Sequence, residues 1–310
     1  MDASQSPIWF IGDLSDPWII SIAESIARVR CIRRLDCPGS LPKDPFDRTR
    51  PPRLMVIHRY HLGLDDIERL MDWRVPQGAT PAPAVFLCVS PYVRYVELER
   101  VSRLVDLVVS EATAAEVLPR HVVRLVEGTE RPVPRPAALT FRIELASGNE
   151  LLGRALIEAC VAAGYRAEAV DDQEIGGIIR ARNRPAPATE RVLTIWEIPV
   201  LEPGWAERLE WRALRTGPVI ALAGFADREI VARARSGGAV ACLELPCDLD
   251  DVIDAIDRVV RSTDLESWPL PPRVEPPHAL PPRSHRHARR RGNSAASAPW
   301  SDRGPLPRIP

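Results

Sequence analysis

The chain is nearly without lysine. Lys43 is the sole one among 41 basic side chains, so a mechanism that needs an ammonium group must use Lys43 or do without. The other basic residues are arginines, whose rigid fork does not replace a compact point charge. Six cysteines (Cys31, Cys37, Cys88, Cys160, Cys242 and Cys247) form no C-x-x-C pair and no Cys/His spacing suited to zinc. There is no G-x-x-x-x-G-K-[ST], no G-x-G-x-x-G after a strand, no H-E-x-x-H and no G-x-S-x-G. Those absences remove the common nucleotide, zinc-protease and hydrolase signatures, and no metal or cofactor is expected. No apolar run approaches the ~20 residues of a membrane helix. The start, "MDASQSPIWF", lacks the basic and apolar regions of a signal peptide. A reduced, cytoplasmic, soluble protein without membrane contact is expected.

What is present is a core-building composition. The chain has 310 residues, 45% of them apolar, with a net charge of −1. Composition divides it at two Pro-rich stretches. Residues 1–128 form a first segment, "TERPVPRPAA" (129–138) follows as a linker, and 139–262 form a second segment. Residues 263–310 are a Pro- and Arg-rich tail without apolar periodicity, expected to be disordered.

The second segment alternates strand and helix. Strands are expected at 139–146, 165–170, 191–198, 217–224 and 239–245. Helices are expected at 149–164, 203–214, 226–237 and 248–262, with a weaker one at 171–182. Asp248 is placed to cap the last of them. Near-continuous apolar strands between helices of this length predict a parallel sheet covered on both faces. The first segment repeats the scheme less regularly. Strands are expected at 7–13, 28–35, 52–58, 82–90 and 105–110, and helices at 16–27, 64–73 and 113–127. The stretch "DCPGSLPKDPFDRTRPP" (36–52) is too rich in Pro for the helix that regular alternation would place there. The fold class is therefore α/β: two tandem flavodoxin-like, doubly wound (βα)5 domains and a tail. Asp65/Asp66, Asp171/Asp172 and Asp250/Asp251 are acidic pairs at helix starts, where they complement the helix dipole.

The second segment resembles the receiver domain of bacterial response regulators. "PVIALAGFADREIVARARSGGAVACLELPCDLDDVIDAI" (218–256) and "IELASGNELLGRALIEACVAAGYRAEAV" (143–170) carry the likeness. Receivers take a phosphoryl group on an Asp ending the third strand, beside a Mg²⁺ held by acids after the first. A Thr or Ser ends strand four, and a Lys before a Pro ends strand five. The resemblance places the acceptor at Glu197, the acid pair at Ser147 and Gly148, the Thr/Ser at Ala223, the Lys at Leu245 and the proline at Pro246. The first segment resembles a receiver more faintly. Its acceptor position falls at His58 in "VIHRYHLG", its Thr/Ser position at Ser90, and Asp13 alone follows strand one; strand five ends in "VSEAT" without Lys or Pro.

With scaffold kept and chemistry changed, the resemblance implies a non-enzymatic pseudo-receiver that binds a signalling protein without phosphorylation. The interaction face it implies contains Ala226, Ile230, Arg233, Val240, Asp251 and Ala255 and could also serve a homodimer. A small-molecule or nucleotide-binding α/β module is the alternative, because doubly wound sheets bind ligands at their strand ends. The tail has eight arginines against three acids from residue 265 onward, a net charge of +5. Arg286, Arg289, Arg290 and Arg291 could contact nucleic acid through counterion release.

Overall fold

The computed structural model describes residues 8–43, 52–76, 81–128, 141–170 and 191–261. All of them fall in one compact unit. The expected linker, the weak helix at 171–182 and the tail arginines lie outside the described residues.

The first half builds its sheet from β1 (Ile8–Gly12), β2 (Ile32–Asp36), β3 (Leu54–Arg59), β4 (Ala84–Val89) and β5 (Leu107–Ser110). The strands are parallel, in the order β2-β1-β3-β4-β5. Strands β1 and β3 are buried along their whole length; their apolar runs Ile8–Ile11 and Leu54–Ile57 require this in a sheet covered on both faces, and His58 and Arg59 close β3 as buried polar residues. Helix α1 (Pro17–Ala27) starts where Pro17 fixes the first turn and the Asp16 carboxylate accepts from the Trp18 N–H. Helices α2 (Leu64–Trp73), α3 (Tyr95–Val101) and α4 (Ala114–Glu127) follow. The last ends at Gly128, whose φ of 67° is a left-handed C-terminal turn.

Two departures from expectation have local causes. Strand β2 starts at Ile32 rather than Arg28, because residues 28–30 close the last turn of α1 through Arg28 N–H to Glu24 O and Arg30 N–H to Ile26 O. Helix α3, unexpected from the sequence, is only 7 residues long, too short to show a period after Pro91.

The second half has β6 (Phe141–Ala146), α5 (Glu150–Ala162), β7 (Arg166–Ala169), β8 (Arg191–Ile198), α6 (Trp205–Thr216), β9 (Val219–Ala223), α7 (Arg228–Ser236), β10 (Ala239–Glu244) and α8 (Leu249–Arg261). The parallel order β10-β9-β8-β6-β7 repeats the first sheet's pattern. The Asp248 carboxylate accepts from the Asp250 N–H at 3.1 Å at the start of α8.

The halves do not stand apart. Helix α4 lies against β10 and α8, and Val117 joins the apolar cluster that contains Ala241, Leu243 and Val252. Trp18 and Ala112 join the cluster of Trp196, Ala223, Ala226 and Val231. Two of the apolar cores therefore mix residues from both halves.

Gly217, between α6 and β9, has a φ of 116°, and a Cβ there would sit 2.8 Å from the Val192 carbonyl oxygen. Gly217→Ala is expected to cost about 2–3 kcal/mol from backbone strain and this close contact. A fall in the urea midpoint with an unchanged m-value would show it.

Candidate functional site at the strand ends

In open α/β sheets the loops after the strands converge at the carboxyl edge, where ligands bind. Each half has such an edge, and the two are built differently.

In the second half, Glu197 occupies the seventh position of β8 and is half-buried. Its carboxylate accepts a hydrogen bond from the Ser147 hydroxyl, in the turn after β6. The fold thus joins the expected acceptor and acid-pair positions. Gly148 is exposed in the same turn, and Asn149 caps α5 through the Leu151 and Leu152 N–H groups. Ala223 is fully buried, and its carbonyl accepts from the Leu245 N–H at 2.7 Å. The Leu245–Pro246 peptide bond is cis. Among the described residues no cation pairs with Glu197. One carboxylate and one hydroxyl make a poor set for Mg²⁺, which demands a near-octahedral shell of oxygens.

In the first half, His58 ends the acceptor strand, buried to 1% exposure. Its Nε2 lies 2.7 Å from Oε2 of Glu111, itself 2% exposed, immediately after β5. Glu111 stands where a receiver's lysine would stand, so the charge at that position is reversed. The missing cation comes from the other half. Arg228, the first residue of α7, meets Glu111 in a fork, Nε to Oε1 at 2.8 Å and Nη2 to Oε2 at 3.0 Å. Its Nη1 donates to Asp16 Oδ2 at 2.6 Å. The Tyr60 hydroxyl also donates to Asp16, and the Trp18 indole N–H donates to the Glu111 carbonyl at 2.9 Å. The guanidinium lies 5.7 Å from the Trp18 ring centroid and 5.6 Å from that of Tyr60, in reach of cation–π attraction.

The titration behaviour follows this geometry. Burial alone raises the Glu111 carboxyl, but the hydrogen bonds from His58 and Arg228 outweigh it and hold the group below its ordinary value. For Asp16, burial is likewise overcome by Tyr60 and Arg228, and its carboxyl is lowered. Tyr60 is pushed up to about 12 by burial and by its bond to Asp16. Arg228 loses from burial but is raised overall by Glu111 and Asp16. Both acids are thus committed to a resident arginine, and a divalent cation does not fit this site.

Asp13 is not part of this cluster; it accepts from Ser15 instead. Ser90 is buried, and its hydroxyl accepts from the Tyr92 N–H at 3.3 Å.

The face expected to be free for a partner is corrected by the structure. Asp251 is buried and pairs with Arg120 at 3.0 Å and His121 at 3.1 Å, both on α4 of the first half. Val240 joins the cluster that holds Val117, and Ile230 and Ala226 join the one that holds Trp18 and Ala112. Ala255 is fully buried, and only Arg233 of the set is exposed, its guanidinium 5.9 Å from the Trp205 ring centroid. The face is occupied within the chain, where α4 meets α7, β10 and α8 through apolar contacts and ion pairs of both senses: Arg120 and His121 with Asp250 and Asp251, and Glu116 with Arg235 and Arg258. The acidic pairs also do more than complement helix dipoles. Asp250 pairs with Arg120 at 2.8 Å, and Asp66 accepts from the Leu41 N–H at 2.8 Å.

Glu111, Asp16, Tyr60, Trp18 and Arg228 were not singled out from the sequence. One signal was available for Glu111. It is a carboxylate directly after an apolar run, much as Glu197 ends one, and a buried carboxylate is costly unless paired.

No family model matches the chain, and no curated protein matches it. Solved structures similar to it include a response regulator from Thermotoga maritima, 15% identical, covering 40% of this chain and 99% of that one, with a TM-score of 0.34. A CheY-like receiver domain protein from Methanospirillum hungatei JF-1 is 21% identical over 41% of this chain and 96% of that one, with a TM-score of 0.33. A two-component response regulator/GGDEF domain protein is 11% identical over 84% of this chain and 99% of that one, with a TM-score of 0.33. At these levels the class rests on the strand order of the two sheets, which is flavodoxin-like, the order found in CheY. The chain is a tandem of flavodoxin-like α/β halves.

Removing Arg228 leaves Glu111 buried beside His58 without its main cation. Arg228→Ala is expected to destabilise by about 3 kcal/mol, at the low end for a broken buried pair because the arginine is partly exposed. The pH dependence has a definite sign. Glu111 and Asp16 are lowered from ordinary values of 4.5 and 3.8, so their stabilisation is full above those values and is lost as pH falls through the lowered ones. Urea melts between pH 7 and pH 3 should therefore show a steeper acid loss in the wild type than in Arg228→Ala.

Proposed function

We propose that the chain is a non-enzymatic signalling scaffold related to two-component response regulators, which binds protein partners without being phosphorylated. The carrying observation is the Arg228 guanidinium seated on Glu111 and Asp16 at the first half's strand ends. A receiver switches because that edge is open to a phosphoryl donor and a metal. Here a side chain of the same polypeptide fills it.

The second edge supports the same reading. Phosphoryl transfer to a carboxylate depends on positioning and on neutralising developing charge. Glu197 is one methylene longer than aspartate, and a displacement of ~1 Å at a reacting atom already costs orders of magnitude. Its neighbour is a hydroxyl, Ser147, and the lysine position is Leu245. Among the described residues neither half gathers a nucleophile, base and orienting group for another chemistry: the His58–Glu111 pair is held by Arg228, and the His121–Asp251 pair lies with Arg120 between the halves. The reading places the protein in the cytoplasm beside its signalling partners.

Incubation of the full chain with acetyl phosphate or beryllofluoride and Mg²⁺ tests this directly. Intact-mass spectra are expected to show no added phosphoryl group, and the fluorescence of the buried Trp196 should not change. A stable adduct, or a Mg²⁺-dependent quench abolished in Glu197→Gln, would overturn the proposal.

A further inference from the structure

The docking of Arg228 has a counterpart that the chain does not satisfy by itself. Arg228 stands five residues after Ala223, the end of the second half's fourth strand. Arg94 stands five residues after Val89, the end of the first half's fourth strand, at the N-cap of α3. Arg228 is inserted into the strand-end site of the other half. Arg94 is exposed, and its guanidinium has no partner among the described residues.

Its surroundings are those of an unmet contact. Tyr92 is 76% exposed, Tyr95 79% and Val96 55%. Arginine flanked by tyrosines is the composition enriched at binding hot spots. The second half's strand-end site is unmet in the complementary way. Glu197 has only the Ser147 hydroxyl as a hydrogen-bond partner among the described residues. Around it the loops after β8 and β9 and the start of α5 present Leu201 at 90%, Phe225 at 76% and Leu151 at 75% exposure. All three belong to segments that follow strands at the carboxyl edge of one sheet, where an exposed apolar patch would mark an interaction site.

We propose that loop 91–96 of one copy docks on the strand-end site of the second half of another copy, with Arg94 seated on Glu197. This deepens the scaffold reading and rests on it, since the site must be free of phosphoryl chemistry. The occupant is a second copy for two reasons. Within the chain, the exposure of Tyr92, Tyr95, Leu201 and Phe225 shows that neither surface covers the other. The chain already makes this kind of contact once, with an arginine five residues past a fourth strand entering a carboxylate-bearing strand-end site. A two-fold dimer closes the arrangement, each copy giving one loop and receiving one. The ion pair orients the contact and the apolar rim supplies most of the affinity, because an exposed pair alone is weak.

Sedimentation of the full chain over roughly 1 to 100 µM tests it, the range in which a modest interface of this kind associates. A rise toward twice the chain's mass is expected. Arg94→Glu and Glu197→Arg should each raise the dissociation constant at least about tenfold, about 1.4 kcal/mol. Combining the two reverses the charges and should restore association. Arg94→Glu and Tyr95→Ala lie on an exposed loop, so they still decide the matter if Glu197→Arg unfolds the second half. A chain that stays monomeric throughout, or a dimer whose affinity neither loop variant changes, would overturn the proposal. The measurement contains no phosphoryl donor, so its failure is distinct from an adduct in the acetyl phosphate experiment.

Discussion

Everything distinctive here turns on one guanidinium. Arg228 reaches from the first turn of α7 into the first half and answers two carboxylates there, Glu111 in a fork and Asp16 at its free edge. Glu111 is buried beside His58, a placement that would be prohibitive for an unpaired charge. The arginine makes the burial tolerable, and the burial in turn fixes the arginine. The second group of contacts, Arg120 and His121 on Asp251 with Val117 packed nearby, holds the same two halves along α4 and α8. The result is one body in which both sheets have the flavodoxin-like order and the first strand-end site is an internal joint.

The two strand-end sites differ from the receiver pattern in a chemically consistent way. A receiver's edge holds acids for a metal and a lysine for the phosphoryl oxygens. In the first half the lysine position carries Glu111, and the balancing positive charge enters from outside that half. In the second, the acid position carries Ser147 and the lysine position carries Leu245, so Glu197 meets a hydroxyl rather than an ion. The two strand-end sites therefore differ in kind: the first is filled by a guanidinium, and in the second a carboxylate meets a hydroxyl.

Most of the architecture was legible in the sequence because it is written in short-range periodicity. Fully apolar stretches such as those of β1 and β9 admit only a doubly covered sheet, and Gly128 marks the end of α4. Helix α3 escaped because 7 residues after a proline carry too few turns to show a period. The joint escaped for a deeper reason. Arg228 and Glu111 are 117 residues apart, and Arg120 and Asp251 are 131 apart. Each looks locally like an ordinary charged residue near a helix start or on a helix face. The pairing of Glu197 with Ser147 was within reach, since the resemblance had already put both positions at one edge.

The placement of the joint also sets a timetable for synthesis. The first half is complete in sequence when residue 128 has been made, but the arginine that answers its buried carboxylate comes a further hundred residues later. At the usual ~5–20 residues per second of translation, that interval is on the order of ten seconds. Through it the nascent first half holds Glu111 with His58 and the backbone but without its guanidinium. During synthesis the N-terminal half therefore emerges incomplete, and it is helix α7, made late, that finishes its strand-end site.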